Sequence, residues 1–263
     1  MTDWLFGPDS MMWRINREAV LLFGGRGALL MQLAHPLVAA GVADHSDFPN
    51  GAIARLRRTL DTMLAIVFGD RAAAAETADR VNRMHRSVTG TAPDGRPYSA
   101  RDPKLMLWVH STLVDSSIRV YEAAVETLAS EELARYYDET KVIASLFGIP
   151  DEIVPPTLEE LRAWMEEMIS SGEVTVTPLA REVAAGVLRP VRVVPTRVAQ
   201  ASAFITVSLL PEPIREGYGL RARLPGSTAV ALGRRASKLV LPLMPAQVRM
   251  LPAARAAHAA SRS

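Results

Sequence analysis

Four of the five histidines in this sequence, His35, His45, His85 and His110, fall between residues 35 and 110. Two of them sit where an imidazole needs a reason. In "VNRMHRSVTG", His85 shares spacings of four, three, four and three with Ala74, Ala78, Val81 and Val88, which puts it on the apolar stripe of a helix while Arg80, Arg83 and Arg86 point elsewhere. In "LMLWVHSTLVDSSIRVYE", His110 shares a face with Met106, Leu113, Ser117 and Tyr121. A polar group left unpaired in a core costs roughly 1–3 kcal/mol, so such a histidine either bonds a neighbouring carbonyl or holds a metal or cofactor. Taken alone, each favours the bonded core histidine; several inward histidines in one half of the chain bring the metal or cofactor reading level with it.

The surrounding motifs narrow the chemistry. There is no cysteine, which excludes disulfides, thiolate metal sites and a cysteine nucleophile. His-Glu-x-x-His is absent and no glutamate lies three residues before a histidine, so zinc-protease and di-iron bundle patterns are disfavoured. No Gly-x-Ser-x-Gly elbow, Gly-x-Gly-x-x-Gly turn or phosphate loop occurs; "GGRGALL" lacks the spacing. What remains is a helical pocket with one axial histidine, a description that haem fits. The helix preceding His85 adds a second feature. Ile53, Leu56, Leu60, Met63, Leu64 and Val67 make one side of it, and Arg55, Arg58, Thr59 and Thr62 gather opposite. That polar side is either a solvated face or a lining whose guanidinium groups bond propionates or polarise an oxygen species.

The elements that must position these residues read as helices throughout. Hydrophobic residues are 49%, charged 22% and aromatic only 6%, with Ala, Leu, Val and Arg dominant, a mixture that suits packed helices. Helices are predicted over about 51–68 and 71–89; "GTAPDGRPYSARDP" reads as a loop. Asp102 and Pro103 open a helix to about residue 128, Ser130 starts another ending at Phe147, and Thr157 with Glu160 forms a capping box for a helix through Ile169. The run "GALLMQLAHPLVAAGVA" is too short and too polar for a membrane span and reads as a core helix kinked at Pro36. His35 and His45 bracket "PLVAAGVAD", and a bend there frees carbonyls for them to bond, so both are given supporting roles near the pocket. Beyond Gly172 prolines break the pattern, and "FITVSLL" reads either way.

One mostly helical domain over 1–263 is the expectation, with 178–263 a basic C-terminal extension. A net charge of +2 does not imply nucleic acid; the excess of Lys and Arg after Pro178 forms either a solvated face or a peripheral contact with an anionic membrane. The N-terminus lacks a basic segment followed by an apolar run and a cleavage site, so a cytoplasmic protein is expected.

The series "QLAHPLVAAGVADHSDF", "RLRRTL", "VNRMHRSVTG", "PYSARDPKLMLWVHSTLVDS" and "YYDE" resembles the bacterial rubber oxygenase or latex-clearing protein family, in the wider grouping that includes the oxygenase of mycophenolic acid biosynthesis. The resemblance spans about residues 15 to 150. It implies an all-α fold with a globin-like core and additional helices, and a b-type haem used with dioxygen on hydrophobic small molecules such as terpenoids, lipids or secondary metabolites. It makes His85 the iron ligand; from their own positions in the sequence, His110 is the next candidate and His35 and His45 are counted as further cofactor-pocket residues. The family's Arg-x-x-Lys-Thr stretch matches Arg55, Arg58 and Thr59, giving these three the catalytic positions. Arg58 replaces the lysine that latex-clearing proteins can place opposite the histidine; a guanidinium has no lone pair for iron, so that side is expected to be open or water-bound. The competing expectation is a non-catalytic haem or hydrophobic-ligand binding protein.

Overall fold

Helix α6, Pro103–Ala124, is the axis on which the other elements are laid. Asp102 caps it, its carboxylate accepting from the Lys104 and Leu105 N–H groups at 2.8 and 3.2 Å, and Pro103 supplies the fixed φ of the first position. The computed structural model describes residues 3–46, 52–188, 206–207, 210–220, 238 and 241–261, with the side chains of 52–56, 188 and 242 outside the description. Among the described residues the chain is all-α apart from two three-residue strands.

The N-terminal elements are α1 (Met11–Asn16), a 3-10 turn (Ala19–Phe23), α2 (Gly25–Leu33) and α3 (Pro36–His45). The expected single kinked helix is therefore two helices. His35 is extended (φ −77°, ψ 120°), and the chain turns through 104° between 19–33 and 36–45. The reason is Pro36: it disfavours helical backbone at His35 and starts a helix better than it continues one. α2 lies along α6, where Trp108 Nε1 donates to the Met31 carbonyl at 3.2 Å. Gly24 permits the approach, since a Cβ there would stand 2.6 Å from Val120 Cγ2.

α4 (Ala52–Phe68) and α5 (Arg71–His85) pack against each other through a tight corner at Gly69 and Asp70. Asp70 caps α5, accepting from Ala73 N–H at 2.8 Å. α5 ends at His85, earlier than its apolar stripe predicts, because the chain leaves the helix to form β1 (Thr89–Thr91), antiparallel to β2 (Pro97–Ser99). The segment expected as a loop is thus a hairpin around Asp94 and Gly95, the latter at φ 85°. Buried Tyr98 pins it to Ala40 of α3, and Gly90 leaves room for the Tyr98 hydroxyl, which a Cβ would meet at 2.4 Å.

α7 (Ser130–Leu146), α8 (Leu158–Ser170) and α9 (Pro178–Leu188) complete the described bundle. Thr157 caps α8 by accepting from Glu160 N–H at 3.2 Å, and Arg162 of α8 reaches buried Asp115 of α6 at 3.1 Å. One core gathers Trp13, Ile66, Ile118, Tyr121, Tyr137 and Leu161; a second gathers Leu30, Leu33, Ala39, Trp108, Ala180 and Ala184. Edge-to-face packing of Trp108 and Trp164, centroids 6.2 Å apart, links α6 to α8.

The C-terminal segment closes on the N-terminus. Leu251 N–H donates to the Arg17 carbonyl at 2.9 Å, Arg249 binds buried Glu18 through two 2.8 Å hydrogen bonds, and the helix Pro252–Ala260 packs on α4 with His258 edge-on to Trp13. Part of the basic tail is therefore spent inside the molecule. Arg181 likewise donates to the Gly217 carbonyl. Arg189, Arg192, Arg197, Arg221, Arg223, Arg234 and Arg235, and "FITVSLL" apart from residues 206–207 and 210, lie outside the described residues. Among those described, no single helix is long and apolar enough to cross a membrane.

Candidate functional site

The four histidines of the first half occupy distinct environments. His85, the last residue of α5, is half-buried with its Nδ1 inside. Its stripe is deepest at Ala74 and Ala78 and rises to half-buried Val81 and Val88. His110, midway along α6, is buried and stays neutral, its pKa lowered to about 4 by desolvation, and its Nε2 has no hydrogen-bond partner among the described residues. A neutral imidazole nitrogen with nothing to bond is either a standing cost or a lone pair awaiting a ligand.

His35 is fully buried, and its tautomer follows from geometry. Nδ1 accepts from Leu37 N–H at 3.2 Å, capping α3, so the neutral ring carries its proton on Nε2. That Nε2 is also buried without a partner among the described residues. His35 is therefore placed to donate a hydrogen bond; ligating a metal through Nε2 requires surrendering the cap. His45, at the other end of α3, is exposed, with Nε2 3.1 Å from the Thr89 carbonyl. Beside it the buried Tyr98 hydroxyl donates to the Asp44 carboxylate, and burial together with that carboxylate raises the phenol to about 12. α3, the hairpin and the chain just past His85 meet at Gly41, where a Cβ would touch Tyr98 at 3.4 Å and Val88 at 3.8 Å.

On α4, Arg58 is exposed and Thr59 half-buried, while the Arg55 side chain lies outside the described residues. Neighbouring Arg57 reaches Asp61 at 3.8 Å across solvent. Three other residues were not singled out by sequence reasoning: Glu18, which is buried at the junction with the C-terminal segment, His258 against Trp13, and Tyr98. Only the last had a local signal, the Asp-Gly turn that makes its hairpin. A surface groove lined by Leu5, Arg71, Lys141, Leu146 and Val154 contains none of the predicted site residues.

Among the described residues no three His, Asp or Glu side chains converge as a metal cage. A bare ion needing three or four protein ligands does not fit them. A metal that arrives in a macrocycle needs a single imidazole and an apolar helical enclosure; the buried Nε2 of His110, with no partner among the described residues, fits that case, while the protonated Nε2 of His35 fits a hydrogen-bond donor to a bound group.

Acid should expose the buried imidazoles. Desolvation lowers His35 to about 4, opposed in part by Glu173 and reinforced by Arg96 and Lys104. Below pH 6.5 the unfolded chain takes up a proton that folded His35 refuses until about pH 4, so the unfolded state binds more protons and stability falls with pH across that window. The expected loss is on the order of 3 kcal/mol between pH 7 and pH 4, measured by urea melts. His35→Asn, which keeps a capping side chain but cannot titrate, should flatten this slope.

An all-α chain with neutral imidazoles sunk among its helices is the class of protein that fold and site define. Over residues 12–241 it matches the ER-bound oxygenase mpaB/B' and rubber oxygenase catalytic domain, and it belongs to that family. Over 133 residues it is 30% identical to an uncharacterised protein of Mycobacterium bovis and, equally, to one of Mycobacterium tuberculosis, the match covering 49% of this chain and 52% of each relative. The chain spans about half the length of the curated relatives it matches. No solved structure matches it significantly.

Proposed function

We propose that this oxygenase-family chain is a b-type haem-dependent oxygenase acting with dioxygen on a hydrophobic small molecule, a terpenoid, lipid or secondary metabolite. The observation that carries the reading, in a family of oxygenases, is the pair of buried, neutral imidazoles at His35 and His110 whose Nε2 atoms find no hydrogen-bond partner among the described residues. His85, on the "VNRMHRSV" segment, is the residue assigned to hold the iron. Haem, when bound, supplies the redox chemistry of oxygen activation. The protein supplies position, donors and dryness.

His35 presents its Nε2–H as a donor for a bound group, its ring held in place by the Leu37 N–H bond. His110 lies among apolar neighbours of α6 and stays uncharged at neutral pH. Arg55, Arg58 and Thr59 share one side of α4, where N–H and O–H donors stabilise negative charge as oxygen is reduced. Of the two whose side chains are described, Thr59 is half-buried and Arg58 stands beside it in solvent. His45 ties the end of α3 to the hairpin through Thr89.

The test is the absorption spectrum of purified protein after reconstitution with haem, followed by oxygen uptake with apolar substrates. A Soret band with substrate-dependent uptake is the expected result. No Soret band overturns the haem reading, and a band without uptake for any apolar substrate makes the chain a haem-binding protein instead.

A further inference from the structure

The sequence has no aspartate or glutamate after Glu216, so every charged side chain from Gly217 to Ser263 is Lys or Arg. The described part of this stretch also carries large apolar side chains in solvent: Leu243 is 84% exposed and Val248 59% exposed. Val248 belongs to the short helix Ala246–Arg249, which packs on the 3-10 turn Ala19–Phe23, where Leu22 is 43% exposed. Three branched aliphatic residues thus stand in water on neighbouring elements at one junction.

The charge at that junction has a definite sign. Buried Glu18 receives two cations, Arg249 through both oxygens at 2.8 Å and Arg17 at 3.3 Å, which leaves a surplus positive charge next to Val248. Lys238 adds another cation, half-buried and bonded to the Thr127 hydroxyl at 2.8 Å rather than to a carboxylate. Apolar tips within a cationic surround match one kind of surface, in which hydrocarbon lies beneath a layer of negative charge. A nucleic acid offers the charge without the hydrocarbon.

We propose that Leu22, Leu243 and Val248, framed by Arg17, Arg249 and Lys238, form a docking surface for an anionic lipid bilayer, on which the protein lies peripherally. The aliphatic tips enter the headgroup boundary, and the surplus positive charge of Arg17 and Arg249 on Glu18, with that of Lys238, attracts the phosphates from beside them. This surface does not depend on the oxygenase reading, because lipid binding is measured without haem or substrate.

The experiment is co-sedimentation of the full chain with phosphatidylcholine vesicles, with and without phosphatidylglycerol, at low and high salt. Binding is expected only where phosphatidylglycerol is present, and salt should weaken it. Leu243→Asp and Val248→Asp should each lower the partition constant about tenfold or more, the scale of losing one aliphatic burial and adding one repulsion. Circular dichroism should stay unchanged because both sites are exposed; Leu243→Ser serves as the milder second variant. Failure to bind anionic vesicles overturns the proposal. So do aspartate variants that bind as well as the unmodified chain, or a short DNA duplex that displaces the protein from vesicles and is itself bound equally well by those variants, since charge alone then explains the attraction.

Discussion

Replacing His85 with alanine is expected to remove the Soret band from haem-reconstituted protein while leaving the helical circular dichroism in place. The fold should survive because His85 is the last residue of α5 and only half-buried, so truncation opens little interior space, and alanine is the best helix former. The ligand should not survive, because the assignment makes His85 the single imidazole that holds the iron. Added imidazole should restore the band by filling the vacated position, which separates loss of a ligand from loss of a pocket. His35→Ala should keep the band, since its Nδ1 is engaged by Leu37 N–H and its Nε2 carries the proton. His110→Ala tests the alternative, a fully desolvated nitrogen without a partner among the described residues. If His110→Ala or His35→Ala loses the band and His85→Ala retains it, iron ligation moves to that residue and the assignment of His85 fails.

The helix starts were legible because capping is local chemistry. Asp70, Asp102 and Thr157 each accept from an N–H two or three residues onward, so residue type and spacing announce them. Pro36 announced a bend for the same reason, though not that His35 would use its ring nitrogen as the cap instead of bonding a freed carbonyl. The hairpin was hidden because two strands of three residues are too short for a period of two to register, and its anchor, Tyr98, acts across 54 residues on Asp44. The stripe of His85 was readable, but periodicity says only that a residue faces inward. It does not say how deep: the stripe is closed at Ala74 and Ala78 and half open at His85. The polar side of α4 shows the same limit, since Arg58 in solvent and Thr59 half inside carry the same sequence signal. Glu18 had no signal at all. Its partner lies 231 residues away, and nothing local distinguishes a glutamate that will be buried from one that will not.

That distant pair gives the largest expected stability effect. Glu18 is fully buried, and Arg249 satisfies both its oxygens and is itself held charged by that bond. Arg249→Met should cost about 3–5 kcal/mol, because it strands a desolvated carboxylate with only Arg17 beside it at 3.3 Å. The loss should appear as a fall in Tm of roughly 10 °C for a chain of this size. The double change Glu18→Met with Arg249→Met should recover most of it, since removing both charges also removes the need to desolvate them. Arg57→Met is the control: the Arg57 and Asp61 side chains are largely exposed, and losing that contact should change stability by no more than about 0.5 kcal/mol. The single variant should also fail locally first. Arg249 adjoins Leu251, whose N–H bonds Arg17, and the helix from Pro252 that covers α4 with Ala254 and Ala257 follows directly. Loosening the ion pair therefore frees that helix from Trp13, so red-shifted tryptophan emission and protease cleavage near Met250 should precede global unfolding. If Arg249→Met melts like the unmodified chain, the carboxylate of Glu18 is not buried as a charge, and the C-terminal helix is held on α4 by its apolar face alone.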